Sequence, residues 1–139
     1  MTMELRSGFR EVEHTADLSL HVWGDTIEAL FSAAIKGLYY ISRVSFSETS
    51  EFNDEKLNFE ENDLESLLIS FLSECNFRLQ NENQALVIQN FKIDRCFLEI
   101  SSHNYKIDHF EREIKAVTYH NLEIRKSING YSVQIVFDV

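Results

Sequence analysis

The sequence predicts an α+β domain in which two amphipathic helices pack on a mainly antiparallel β-sheet. Two long segments repeat apolar residues at helical spacing, shorter segments alternate apolar and polar residues, and an Asn-Gly pair near the end of the chain is typical of a tight hairpin. Strands and helices are grouped unequally along the chain, which favours an antiparallel arrangement. The 139 residues include no proline and four glycines, so we expect one domain over residues 1–139 without linkers.

The first predicted strand covers residues 18–23, where apolar and polar side chains alternate up to Gly24. Asp25 is the expected N-cap of the first helix, because Glu28 follows three residues later as in a capping box. Residues at helical spacing then form one apolar stripe: Ile27, Leu30, Phe31, Ala34, Leu38 and Ile41.

A short strand is expected at residues 44–46, and Leu57 and Phe59 alternate with polar residues further along. Asn62 and Glu65 are expected to open the second helix, again as a capping pair. That helix has the longest apolar stripe in the sequence: Leu64, Leu67, Leu68, Phe71, Leu72, Cys75 and Leu79. Its polar face includes Asn76, so the stripe indicates an ordinary amphipathic helix on a sheet.

The second half of the chain is predicted to be mostly strands. Residues 86–91 and 96–100 are two apolar runs that form a hairpin around residues 92–95. The stretch 101–113 is polar and aperiodic, and it is predicted to be a loop.

Two more strands are predicted to end the chain, at residues 116–126 and 131–138, joined at Asn129-Gly130. This dipeptide predicts a type I′ turn, whose two central residues need positive φ. In the last strand Asp138 should face away from the side that carries Tyr131, Val133, Ile135 and Phe137.

The charge of the chain bears on its partners. The net charge is −10, and eight acidic residues stand against Lys56 between Glu48 and Glu65. Because neutralising phosphates supplies most non-specific affinity for nucleic acids, we expect no direct nucleic-acid binding but rather cations or a basic partner. No apolar run approaches the roughly 20 residues that span a bilayer, and the N-terminus does not resemble a signal peptide. We therefore expect a cytoplasmic protein that does not enter the membrane.

Polar residues that could bind a ligand or a metal, and that the core does not need, lie at three places. Two of these places are the starts of predicted strands. His14 and Asp17 directly precede the first predicted strand, and Lys115 and His120 enter the final hairpin. Taken alone, His14 and Asp17 are typical of a surface turn, and Lys115 and His120 of a lysine that snorkels beside a half-exposed histidine. A gly-rich phosphate loop, a GxSxG motif and an HExxH motif are missing from the sequence, which argues against an enzyme.

The third place is the end of the sequence, where Asp138 and Val139 follow a strand directly. A side-chain carboxylate and a terminal carboxylate this close together repel each other unless a cation lies between them, and Ca²⁺ or Mg²⁺ prefers such oxygen ligands. Such an ending also occurs by chance. If the first and last strands are neighbours, Asp17, Asp138 and the Val139 carboxylate converge on one cation, but the sequence does not establish that adjacency.

At these residues the chain resembles the archease family, nearly from end to end. The similarity is carried by EHTAD at residues 13–17, EIKAVTYH at residues 113–120 and the closing FDV, in that order. The resemblance implies duplicated strand–helix–strand–strand modules, metal ligands at Asp17, Asp138 and Val139, and a functionally important Lys115.

The resemblance leaves some positions without a role. His14 and His120 match motif positions to which no function is assigned, and His109 corresponds only loosely to a histidine that precedes the lysine motif in the family.

The resemblance also implies a function. Archeases assist an RtcB-type RNA ligase in tRNA splicing and RNA repair by promoting its guanylylation and multiple turnover. We therefore expect a ligase activator that is not itself an enzyme and that binds a divalent cation, calcium in preference to magnesium. The main alternative is a chaperone-like interaction module with a structural metal. The second is a metal-dependent phosphatase or nuclease using Asp17, Asp138, His14 and His120.

Overall fold

A computed structural model describes residues 6–13, 17–46 and 52–139. It has the predicted α+β class, with two helices and antiparallel strands, but the strands form two sheets. The elements are β1 Ser7–Glu13, β2 Leu18–Gly24, α1 Ile27–Ser42, β3 Val44–Phe46, β4 Phe52–Glu60, α2 Leu64–Glu82, β5 Gln84–Asp94, β6 Phe97–Phe110, β7 Ala116–Thr118, β8 Arg125–Ser127 and β9 Gly130–Asp138. In the described ranges no helix is long and apolar enough to cross a membrane.

The two sheets are each organised around one long strand. In the first sheet the order is β1-β2-β9-β7, and β8 also pairs with β9 beside β7. In the second sheet β6 pairs with β3, β4 and β5. The run β4-α2-β5-β6 has the strand–helix–strand–strand order implied by the resemblance.

Helix α1 confirms the first predicted helix, but its N-cap is Thr26 and not Asp25. The Thr26 side chain accepts a hydrogen bond from the Ala29 N–H at 3.0 Å. The Asp25 carboxylate instead accepts the Arg6 N–H at 3.1 Å. The carboxylate therefore contributes to the contact with the segment leading into β1, which leaves the capping position to the next residue.

Helix α2 also begins as predicted to within one residue. Its N-cap is Asp63, whose carboxylate accepts the Ser66 N–H at 2.7 Å. This hydrogen bond lowers the pKa of Asp63 because it stabilises the charged carboxylate. The expected cap, Asn62, lies one residue before the observed N-cap.

The core is one cluster of apolar side chains contributed by both helices and both sheets. At its centre Phe71 of α2 contacts three other rings, with centroid distances of 6.0 Å to Phe31, 5.8 Å to Phe59 and 5.6 Å to Phe91. Cys75 is buried beside them as a free thiol, and burial raises its pKa. Cys75 is therefore a core residue, as predicted.

The prediction of a loop over residues 101–113 is wrong, since most of it is the second half of β6. The inward positions there carry Ser102 and Asn104, which are buried. The Ser102 hydroxyl donates to Asn104 at 2.6 Å, and the Asn104 amide donates to Glu55 at 2.6 Å. Buried polar groups that satisfy one another can line a strand, but they remove the apolar alternation by which a strand is recognised.

The hairpin predicted before this segment exists, but its turn lies later than expected. Strand β5 extends to Asp94, and the turn is made by Arg95 and Cys96. Arg95 has a positive φ of 57°.

The predicted strand 116–126 is interrupted. β7 ends at Thr118 and β8 begins at Arg125, and both pair with β9. Asn121 adopts a φ of 51° in the connection, and the Ile124 N–H donates to the Glu65 carboxylate of α2 at 2.9 Å. Between the two strands the segment lies outside the sheet, and its backbone at Ile124 bonds to a side chain of α2.

The β8–β9 hairpin confirms a tight turn, but the type I′ prediction is wrong. Ser127 pairs with Gly130, so Ile128 and Asn129 are the central residues, and positive φ is confined to Gly130 at 119°. A Cβ atom at Gly130 would lie 2.5 Å from the Gly24 carbonyl oxygen. Glycine is thus required there both by conformation and by space.

Candidate functional site

The strand order brings the ends of β2, β7 and β9 together at one end of the first sheet. β9 lies between the other two strands, with Leu18 opposite Phe137 and Ala116 opposite Asp138. One position further in the first register, Asp17 comes opposite Asp138. The sequence did not establish that the first predicted strand and the last strand are neighbours. In the structure they pair directly, as β2 and β9.

The two aspartate side chains share one face of the sheet. Leu18 and Phe137 are buried in the core, and side chains alternate along a strand, so Asp17 and Asp138 face outward. Both residues are exposed. Within the described ranges neither carboxylate forms a side-chain hydrogen bond or ion pair. Val139, which follows directly, is 42% exposed.

Lys115 adjoins Asp138 through its backbone but lines a different depression from Asp17. Its N–H donates to the Asp138 carbonyl oxygen at 2.8 Å. The residue lines a depression between α2 and residues 113–117, together with Phe77 and Ile114. The structure therefore places Lys115 next to Asp138 but not in the lining of the cavity beside Asp17.

Asn76 was expected on the polar face of α2, and that prediction is wrong. It is 6% exposed, and its amide donates to the Ile114 carbonyl oxygen at 2.9 Å. This bond fixes the backbone next to Lys115. A single asparagine on a helix gives no sequence signal for such a role.

His120 lies with Asp17 on the outer face of the first sheet. The two residues line one cavity of about 750 Å³, together with His21 of β2. The His120 N–H donates to the Thr118 hydroxyl oxygen at 3.3 Å, and that hydroxyl donates to the Val136 carbonyl oxygen at 2.8 Å. The backbone at His120 is thus held against β9.

The other two predicted histidines do not join this group. His14 lies outside the described residues. His109 is on β6 opposite Ser45, exposed in the second sheet.

Sequence reasoning missed His21 and Gln134, which line the same cavity and face each other across β2 and β9. A signal for His21 existed, since it alternates with Leu20 and Val22 in the predicted strand. Alternation places it on the outward face, the same face as Asp17. The pairing with Gln134 depends on the strand order, which the sequence does not contain.

The residues present fit a hard divalent cation. In the described part of the chain no three His, Cys, Asp or Glu side chains lie close enough together to hold a metal ion. Asp17 and Asp138 therefore need a further donor, and the predicted one is the carboxylate of Val139. Carboxylate oxygens are the ligands that Ca²⁺ and Mg²⁺ prefer, and neither aspartate is engaged elsewhere in the described ranges.

Comparison with known proteins identifies the family. The sequence model of the Archease protein family (MTH1598/TM1083) matches residues 9–139. A protein archease of Methanopyrus kandleri is 30% identical over 142 residues, covering 94% of this chain and 99% of the relative. A protein archease of Methanosarcina mazei is 29% identical, covering 94% of this chain and 95% of the relative.

Solved structures share the fold. The crystal structure of an archease from Thermotoga maritima, described as a possible chaperone, has a TM-score of 0.69 at 21% identity and covers 99% of this chain and 100% of its own. The solution structure of Methanobacterium thermoautotrophicum protein 1598 has a TM-score of 0.69 at 19% identity and covers 95% and 99%. By the family match over residues 9–139, this chain belongs to the archease family.

Proposed function

We propose that this archease activates an RtcB-type RNA ligase in tRNA splicing and RNA repair. It promotes guanylylation and multiple turnover of the ligase, works in the cytoplasm and is not itself an enzyme. The observation that supports the proposal is the β2–β9 register, which ends at Leu18 and Phe137 and, continued by one residue, sets Asp17 opposite Asp138 on the exposed side of the sheet.

In this proposal Asp17, Asp138 and the carboxylate of Val139 hold a divalent cation, calcium in preference to magnesium. If each carboxylate binds through one oxygen, the three fill only part of the 6–8 positions that Ca²⁺ takes, and water or groups of the partner complete the coordination. When bound, the cation supplies positive charge for phosphoryl oxygens on which negative charge develops.

The protein residues position this end of the sheet against the ligase. Asp17 and Asp138 are exposed at the end of their strands, so they can approach a recessed active site. Lys115 projects on the other side of the strand end, where its ammonium can contact a phosphate or a carboxylate of the ligase. The hydrogen bond from the Lys115 N–H to the Asp138 carbonyl oxygen holds the lysine at a fixed distance from the cation-binding aspartates.

The test is ligase guanylylation with the variants Asp17→Asn, Asp138→Asn and Lys115→Ala. We expect each to lose at least about tenfold in stimulation, equivalent to roughly 1.4 kcal/mol. Asp94→Asn and Lys92→Ala are matched controls, because they change the same exposed residue types on β5 in the second sheet. Full stimulation by all three site variants would exclude the proposal.

Cation binding is measured separately by thermal unfolding with calcium and with chelator. Calcium at about 100 times its Kd should stabilise the wild type by roughly 2.7 kcal/mol, and this gain should disappear in Asp17→Asn. Without calcium the surface substitution should change stability by less than about 0.5 kcal/mol.

A chaperone-like role with a structural metal is the second candidate, favoured by the description of the Thermotoga maritima structure as a possible chaperone. The two roles differ in the effect of chelator. A structural metal raises the melting temperature but leaves ligase stimulation unchanged when it is removed, whereas the proposed role loses both.

A further inference from the structure

The cavity beside Asp17 continues along the outer face of the first sheet as one cleft. Its floor comes from β2 and β9, and its wall comes from the connection between β7 and β8. We name it the outer-face cleft, lined by Asp17, His21, His120, Arg125, Ser132 and Gln134 among others.

The pairing registers arrange these residues in rows across the strands. Asp17 lies in the first row, His21 and Gln134 lie four residues further along β2, and Ser132 and Arg125 form the last row. At about 3.3 Å per residue, the first and last rows are roughly 20 Å apart. The cleft is therefore elongated, with the candidate cation site at one end.

The wall of the cleft is anchored to the rest of the fold. The Leu122 N–H donates to the Tyr119 carbonyl oxygen at 3.1 Å, and the Ile124 N–H donates to Glu65 at 2.9 Å. The side chains of Leu122 and Ile124 pack against the core. The cleft is thus a formed part of the structure, which suits a ligand site.

The lining residues are chiefly hydrogen-bond donors. His21, His120, Arg125, Ser132 and Gln134 can all donate, whereas the carboxylates in the cleft are those of Asp17 and Glu123. Arg125 and Glu123 are 3.5 Å apart but highly exposed, at 74% and 66%, so their ion pair is weak and a ligand can compete for the guanidinium. The cleft therefore differs from the rest of this acidic chain, and a cation at Asp17 makes it more favourable for an anion.

One aromatic ring, that of His21, lines the cleft, and the ring of Trp23 lies beside it outside the lining. The His21 ring lies 5.7 Å from the Trp23 ring, at an interplanar angle of 33°. Trp23 is 39% exposed, and it lies directly over Gly8, where a Cβ atom would approach the indole to 2.5 Å. Bases stack on such rings, and the Gln134 amide beside them can both donate to and accept from a base edge.

We propose that the outer-face cleft binds a nucleoside triphosphate. The phosphates face the cation at Asp17 and the imidazole of His120, and the base stacks on His21 within reach of Gln134 and Arg125. The volume of about 750 Å³ falls in the range of small-molecule sites and exceeds what a single phosphate needs. The net charge of −10 disfavours extended RNA, which needs many phosphate contacts.

The position of the phosphates rests on the proposed function, which supplies the cation. Binding is measured by titration calorimetry of the isolated protein with ATP and with GTP in the presence of magnesium, without ligase. We expect saturable binding that weakens at least tenfold in His21→Ala and in Arg125→Ala. His109→Ala and Arg95→Ala, on the second sheet and its turn, are the matched controls and should bind as the wild type does.

Two further ligands test separately whether the base contributes to binding and whether the site is specific for a nucleotide over RNA. Inorganic triphosphate should bind more weakly than ATP, because it lacks the stacked base, and its binding should be insensitive to His21→Ala. A short single-stranded RNA should not compete with ATP. Amide chemical shifts of Gln134 and Ser132 in an NMR titration with ATP should move, while those of β5 should not.

The outcomes distinguish this proposal from the proposed function. If calcium stabilises the protein and ligase stimulation needs Asp17, yet ATP and GTP fail to bind at millimolar concentration, the nucleotide site is excluded and the ligase role stands. Nucleotide binding that His21→Ala abolishes, in a protein that does not stimulate the ligase, would support the cleft and exclude the ligase role. Tight RNA binding that displaces ATP would overturn the choice of ligand.

Discussion

Two polar regions of this archease differ in how their side chains are satisfied. In the second sheet, Arg78 of α2 donates to Glu74 at 3.0 Å and binds both carboxylate oxygens of Glu55, which also accepts from Asn104. At the end of the first sheet, Asp17 and Asp138 bond to no side chain in the described ranges. In the first region the polar side chains bond to one another and hold α2 to the second sheet. In the second region the two carboxylates face outward and bond to no side chain of the described ranges.

The difference separates polar side chains that stabilise the fold from the two aspartates to which the proposed function assigns a cation. A partly buried polar residue with partners is explained by stability, because losing a partner would leave a desolvated group unpaired. Exposed carboxylates placed side by side repel each other and gain nothing in the isolated chain. The cation of the proposed function would neutralise this repulsion.

The largest effect is expected from breaking the hydrogen bonds of the first region. Arg78→Met should destabilise the fold by about 2–3 kcal/mol, because Glu55 and Glu74 lose a charged donor that is only 14% exposed. Arg43→Met is the control, since its ion pair with Glu111 spans 3.4 Å between side chains that are more than half exposed, and it should cost less than about 0.5 kcal/mol. Chemical denaturation measures both, and equal losses would contradict the distinction.

A smaller effect is expected at Asn76, a buried residue that contacts the backbone beside the proposed site. Asn76→Ala should cost about 1–2 kcal/mol, because it leaves the Ile114 carbonyl oxygen without its donor. It should also lower ligase stimulation, since the backbone beside Lys115 loses its anchor. Asn81→Ala on the same helix removes an exposed bond to the Phe77 carbonyl oxygen at 3.1 Å, and stimulation should be unaffected. Reduced stability with full stimulation would show that this anchor does not position Lys115.

The smallest effect concerns pH. The hydrogen bond from Arg78 lowers the pKa of Glu55 below its ordinary value. Because the folded-state pKa is the lower one, the stabilisation is present above the ordinary pKa and is lost as pH falls through the folded value. The stability difference between the wild type and Glu55→Gln should therefore be greatest near neutral pH and shrink in acid. Unfolding curves at several pH values measure it, and a constant difference would contradict the assignment.

The sequence predicted the helices well because the face of each helix that packs in the core is apolar. Phe71, Leu72 and Cys75 are buried in α2 as the stripe required. It failed over residues 101–113, because Ser102 and Asn104 occupy inward positions of β6 that usually hold aliphatic residues. Their partner Glu55 is far away in sequence, so the pattern of a buried polar strand is not local.

The site could be predicted only in part for a similar reason. The motifs identified Asp17, Asp138 and Lys115, but the order of strands decides which residues meet. That order makes β2 and β9 neighbours, puts His120 and the unforeseen His21 in the same cleft as Asp17, and leaves Lys115 in the lining of a different depression. A single sequence contains no information about these long-range pairings beyond the alternation of each strand.

The close approach of Gly130 to Gly24 affects the register of β2 and β9 as far as the other end of this strand pair. The β2–β9 ladder runs from this contact to the pair of Leu18 and Phe137. A slip of two residues would keep every apolar side chain facing inward, so the core alone does not forbid it. It would nevertheless carry Asp138 about 7 Å away from Asp17. The contact between Gly130 and Gly24 leaves no room for a side chain, so only glycine fits there and the start of β9 is fixed. This contact thereby sets the register of the two strands, and with it the position of Asp138 relative to Asp17.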